Sequence, residues 1–194
     1  MTKPLFFILT LFLSTQCFAK KLIIIGDSLT EGLGVAKEQA YPSLLEKKLK
    51  NWTVSNAGVS GSTSASGLSR LKWQMKAKPD LVILALGAND GLRGVKINET
   101  EKNLTETIAY AKQNNIKIIL AGMQLPPNYG KEYTSEFKKT FYKIAKKEKV
   151  LLIPFILDKV AGDFQLNQAD GIHPNEKGHE VIAETLYQFL KDKI

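Results

Sequence analysis

Uninterrupted apolar runs alternate along the chain with segments whose apolar residues recur every three or four positions. The runs are Leu22-Ile23-Ile24-Ile25, Leu81-Val82-Ile83-Leu84-Ala85-Leu86, residues 116–120 and residues 150–153, with a shorter one at residues 52–54. They are short, rich in branched aliphatics and cut off by turn or polar residues. Such runs predict strands covered on both faces, as in a parallel sheet. Helical spacing fills the intervals. Residues 41–49 carry Pro42 in a first turn and leucines on one side. Residues 64–76 carry Leu68, Leu71 and Met75 inward, and a helix capped by Asn98, with Glu101 three residues on, carries Leu104, Ile108 and Ala111. Phe137, Phe141 and Ile144 mark another helix. Val181, Ile182, Leu186, Phe189 and Leu190 mark the last, after an irregular stretch over residues 158–172. Strand and helix alternate five times with no repeat or linker. This order predicts an α/β fold with a five-stranded parallel sheet and helices on both faces, in one domain over residues 20–194.

The N-terminus breaks this pattern. Lys3 precedes an apolar run over residues 5–13, and a polar stretch then leads to Cys17-Phe18-Ala19 before Lys20-Lys21. A basic start, a short apolar core and a small residue at the cut predict a secretory signal peptide over residues 1–19. The core falls short of the roughly 20 residues a membrane span needs. Gln16 stands where a lipoprotein signal would have a small residue. Cys17 is the only cysteine of the 194 residues, so cleavage after Ala19 leaves a mature chain with no disulfide, thiol nucleophile or cysteine-bound metal. The formal net charge of +8 favours anionic surfaces. Its lysines sit largely on helix faces (Lys47, Lys48 and Lys50, then six between Lys138 and Lys149), where solvation alone accounts for them. Aromatic interleaving and a reading helix are both missing, so nucleic acid is not an expected partner.

Polar clusters follow the strands. Ser28 stands two residues beyond Gly26, Gly61 follows the second strand, Asn89 the third, and Asp170 and His173 precede the final helix. In a parallel sheet these positions share one edge, where ligands bind. Acyl transfer to water needs a nucleophile, a base, a group to orient the base and oxyanion donors. The four clusters supply one of each. Each also has a plainer reading: a strand-to-helix turn for Ser28, a glycine turn for Gly58 and Gly61, and a helix cap for Asp170 with His173. His179, inside the last helix, reads as a surface or capping residue. The serine is not in a G-x-S-x-G elbow, because residue 30 is threonine. No phosphate loop, G-x-G-x-x-G pattern or H-E-x-x-H motif is present, so neither a cofactor nor a metal is expected.

Gly26-Asp27-Ser28-Leu29, Asn56-Ala57-Gly58-Val59-Ser60-Gly61, Gly87-Ala88-Asn89-Asp90 and Asp170-Gly171-Ile172-His173-Pro174 resemble, in order, the four blocks of the GDSL, or SGNH, hydrolases. Asn89-Asp90-Gly91-Leu92-Arg93-Gly94 and Leu125-Pro126-Pro127-Asn128-Tyr129-Gly130 are most similar to a periplasmic branch of multifunctional acyl-CoA thioesterases, lysophospholipases and arylesterases. The resemblance implies a flavodoxin-like three-layer α/β/α sandwich and a periplasmic serine hydrolase of acyl esters and thioesters. It implies Ser28 as nucleophile, His173 as base and Asp170 as its partner. The implied oxyanion hole comprises the N–H groups of Ser28 and Gly61 and the amide of Asn89. Leu92, Ile97, Leu125, Pro126 and Tyr129 would line an acyl groove favouring medium to long chains, with Arg93 touching a negative part of the substrate. The expected partners are small-molecule esters, thioesters or lysolipids, with peripheral contact to anionic lipid and no obligate protein. A carbohydrate or peptidoglycan O-acetylesterase, and a non-catalytic membrane- or glycan-binding module, are the alternatives.

Overall fold

The computed structural model describes residues 19–194, so the segment expected as a signal peptide lies, apart from Ala19, outside the described residues. Five parallel strands form one sheet in the order β2-β1-β3-β4-β5: β1 Lys20–Gly26, β2 Trp52–Gly58, β3 Leu81–Ala85, β4 Lys117–Ala121 and β5 Leu151–Ile153. Past the exposed lysines that open β1 and β4, the central strands are buried: Leu22 to Ile25 are at most 1% exposed. The edge strand β2 alternates instead, because only one of its faces meets the core. Its polar Ser55 and Asn56 conceal it in the sequence, and the strand runs to Gly58, four residues past the expected end.

Among the described residues seven α-helices flank the strands: α1 Ser28–Glu31, α2 Tyr41–Lys48, α3 Gly67–Gln74, α4 Ala88–Leu92, α5 Ile97–Gln113, α6 Lys131–Glu148 and α7 Glu176–Leu190. Helix α2 packs against α7, while α3, α5 and α6 pack side by side, giving helix, sheet and helix layers. Apolar stripes drive this packing, with Leu104, Ile108 and Ala111 of α5 and Phe137, Phe141 and Ile144 of α6 all buried. Asn98 does not cap α5; Lys96 is the capping position, and the helix begins at Ile97, whose apolar side chain joins the core.

Two features fix the edge on which the polar clusters lie. Gly26 pairs in register with Gly58 and with Ala85, so β1, β2 and β3 end at one level. Gly58 also lets α1 lie directly on β2, since a Cβ there would collide with the backbone of Glu31. In this strand order β1 and β3 flank the point where the chain reverses direction across the sheet. A crevice is expected there.

Of the surface and capping roles expected for His179, the surface one does not hold. The residue is 1% exposed, its Nδ1 accepts the backbone N–H of Tyr41 at 3.2 Å, and its ring stacks on the Tyr41 ring. The Tyr41 hydroxyl lies 2.7 Å from Thr30 Oγ1, so α7, α2 and α1 form a chain of buried polar contacts behind Ser28. Burial, with the nearby charge of His173, lowers the His179 pKa to about 4 and keeps the ring neutral.

Candidate active site

Ser28 opens α1 two residues beyond the end of β1. Asp27 is the cap of that turn, accepting Leu29 N–H on Oδ1 at 3.0 Å. Ser28 Oγ lies 2.9 Å from His173 Nε2, and His173 Nδ1 lies 2.7 Å from Asp170 Oδ2. The serine and histidine are 145 residues apart in sequence, and both lie at the carboxyl edge of the sheet. The histidine loop is held from several directions. Asp170 Oδ1 accepts the N–H groups of Ile172 and His173, both at 3.0 Å, and Gln168 N–H donates to His173 O at 2.8 Å. Burial opposes ionisation of Asp170, but the His173 and Ile172 N–H groups and the His173 ring outweigh it, holding the carboxyl down at about 2. An ionised Asp170 keeps the proton on Nδ1 and leaves Nε2 to accept from Ser28.

Gly61 and Asn89 lie at the same edge. Gly61 has φ 72, a conformation that disfavours side chains, and a Cβ there would come within 3.3 Å of Arg93 Nη2. Asn89 lies in the single turn of α4, and its Nδ2 donates to Ser62 O at 3.1 Å, leaving a second N–H on that nitrogen. The backbone N–H groups of Ser28 and Gly61 donate to no protein group among the described residues. Asp90, next to Asn89 and 1% exposed, accepts Ser64 N–H at 2.7 Å, Ser64 Oγ–H at 2.5 Å and Thr100 Oγ1–H at 3.3 Å. This buried network ties the loop after β2 to α4 and α5. No sequence motif signals it.

A cavity of about 370 Å³ opens beside Ser28, Asn89 and His173. Leu92, Leu125 and Pro126 line it, whereas three other expected groove residues lie off the lining. Ile97 starts α5 and packs on the core; exposed Tyr129 donates its hydroxyl to Leu92 O at 3.2 Å; exposed Arg93 follows α4 and reaches toward Gly61. The opposite wall comes from Phe155, Leu157, Ala161 and Ile172, in and just before the irregular stretch. Their position after β5 was the available signal, because every segment leaving a strand's carboxyl end reaches this edge.

Asp27 also lines the cavity. It is 1% exposed and its Oδ2 has no hydrogen-bond partner. Burial raises its pKa to about 6 against the lowering effects of backbone N–H groups, His173 and Arg70. Arg70, on α3, donates to Gly26 O at 2.7 Å and to Ala57 O, joining the ends of β1 and β2. Among the described residues no group of three or more histidine, cysteine or carboxylate side chains could hold a metal ion, and no helix is long and apolar enough to cross a membrane.

Residues 24–181 match the family model of the GDSL-like lipase/acylhydrolase family. The chain is 39% identical to the esterase TesA of Pseudomonas aeruginosa, over 92% of each chain. It is 38% identical to the thioesterase 1/protease 1/lysophospholipase L1 of Escherichia coli, covering 96% of this chain and 90% of that one. Among solved structures, a crystal structure of TesA superposes with a TM-score of 0.86 at 38% identity, covering 90% of this chain and all of the other.

Proposed function

This chain belongs to the GDSL-like lipase/acylhydrolase family, and from that premise we propose that it hydrolyses acyl esters and thioesters through Ser28, His173 and Asp170. The observation that carries the reading is the pair of hydrogen bonds, 2.9 and 2.7 Å, linking these three side chains beside an apolar-lined cavity. Ser28 Oγ attacks the acyl carbonyl and its proton moves to His173 Nε2. Asp170 stabilises the imidazolium through Nδ1–H. The N–H groups of Ser28 and Gly61 and the amide of Asn89 hold the oxyanion. His173 then returns the proton to the departing thiol or alcohol. Water, deprotonated by the same imidazole, releases the acyl group from Ser28.

The relatives' names as esterase, thioesterase and lysophospholipase support small acylated molecules as substrates. The apolar cavity supports chains longer than acetyl, in preference to an O-acetylesterase. Export is supported by the basic, apolar and small-residue pattern of residues 1–19, with a periplasmic address the reading we adopt. Contact with lipid rests so far on the net positive charge alone.

Covalent labelling with a fluorophosphonate tests the assignment. The wild type is expected to label and Ser28→Ala to lose both label and esterase activity; equal labelling of the two would overturn it. A series of p-nitrophenyl esters separates the substrate classes, since cleavage confined to acetate would point to the O-acetylesterase.

A further inference from the structure

Five of the eight large hydrophobic residues exposed on the described surface lie on loops at the sheet's carboxyl edge: Leu33, Val59, Tyr129, Phe164 and Ile172. The three others are scattered, on α3, on α6 and at the start of β5; of these Trp73 lies under the ammonium of Lys76, 3.9 Å from the ring centre. Phe164 stands out at 95% exposure. It lies in the chain between Gly162 and Asn167, both of which line the cavity, so the segment that carries it borders the opening.

The turn that presents Phe164 is held firmly. Asp163 Oδ1 accepts Gln165 N–H at 2.8 Å, and the Asn167 amide donates to Val160 O at 2.6 Å and Asp163 O at 2.8 Å. The Asn175 amide donates to Gln165 O at 2.9 Å. Gln168 Nε2 donates to Leu33 O at 2.7 Å, joining the loop that carries Leu33 to the one that carries Ile172. A pinned, solvent-facing aromatic beside an apolar opening is an unusual use of surface, because isolated exposed apolar residues need no explanation but a cluster around a site marks contact.

We propose that this rim docks the protein on a zwitterionic phospholipid surface, with Phe164 inserted as the leading wedge, so that an acyl chain passes from the lipid layer into the cavity beside Ser28. The proposal rests on the acyl-hydrolase reading. A protein or a second copy seated here would cover the mouth through which substrate enters. A lipid layer covers it and supplies substrate together. The loops bearing the rim hold Lys37 and Lys159 against Glu38, Asp158, Asp163 and Asp170, so they contribute none of the chain's +8. Attraction to this face is therefore apolar and resistant to salt.

The test compares wild type with Phe164→Ser, whose side chain touches neither core nor cavity, on phosphatidylcholine vesicles. The partition coefficient is expected to fall roughly ten- to hundredfold in the variant, from the transfer of one aromatic side chain. Hydrolysis of micellar lysophosphatidylcholine is expected to fall with it, while turnover of a soluble short-chain p-nitrophenyl ester stays unchanged. Phe164→Trp is expected to retain binding and shift its emission to the blue on vesicles. Equal partition of wild type and Phe164→Ser, or binding only to anionic vesicles and abolished by salt, would overturn the docking face. So would self-association abolished by Phe164→Ser. A wild type inactive on the soluble ester would instead remove the hydrolase reading beneath it.

Discussion

Asp27 combines two properties that conflict at neutral pH: it is fully buried, and one carboxyl oxygen has no partner. Its folded pKa of about 6 exceeds the unfolded value near 3.9. The native state therefore holds the proton more tightly, so the group's contribution to stability is fully present below about pH 4 and lost as pH rises through 6. Two units correspond to about 3 kcal/mol. Asp27→Asn should be indistinguishable from wild type in urea unfolding at pH 4 and more stable at pH 8 by up to about 3 kcal/mol. Equal stability of the two at both pH values would contradict this. The position is one where the chain keeps a charge at a cost to stability, beside the serine proposed as its nucleophile.

At the scale of elements, the shortest ones hold the site. Helices α1 and α4 are one turn each, too brief for apolar periodicity to reveal, yet they carry Ser28 and Asn89. The long helices and central strands were legible because their side chains answer to one core. The single-turn helices form because side chains bind backbone across elements, as Asp90 does to Ser64. Asp90→Ala leaves the buried Ser64 N–H without an acceptor, an expected loss of about 1–3 kcal/mol. Denaturant unfolding should show a lower midpoint at an unchanged slope; a shift below a few tenths of a kcal/mol would mean that the network does not hold this loop.

For the whole molecule, two buried groups pull in opposite directions as pH changes. His179 has its pKa lowered to about 4, so its contribution is present above about pH 6.5 and lost as pH falls toward 4. Asp27 loses its contribution while pH rises over nearly the same interval. Wild-type melting temperature should therefore vary little between pH 4 and 6.5, whereas Asp27→Asn should leave the His179 effect unopposed and climb with pH. A wild type that climbs as steeply as the variant would show that the two do not offset. The sheet and the edge shared by residues 28, 61, 89 and 173 follow from alternation alone, since parallel strands leave their polar ends on one side. The walls of the cavity were less legible. Leu92 and Leu125 line it, while Ile97 turned to the core, because a leading helix residue and a groove residue look alike in sequence. His179 was hidden for a related reason: a polar residue on a helix reads as exposed unless its buried partner, here a backbone N–H of α2, is known.

The distance along the chain between Ser28 and His173 has a temporal meaning as well. A ribosome, or a translocation channel, releases the hydroxyl long before the imidazole that, on the mechanism proposed above, receives its proton. Until the last loop has emerged and found its place after β5, the nascent polypeptide holds a serine no more reactive than any other. On that mechanism, a hydrolase built this way has no working nucleophile until the whole chain is folded.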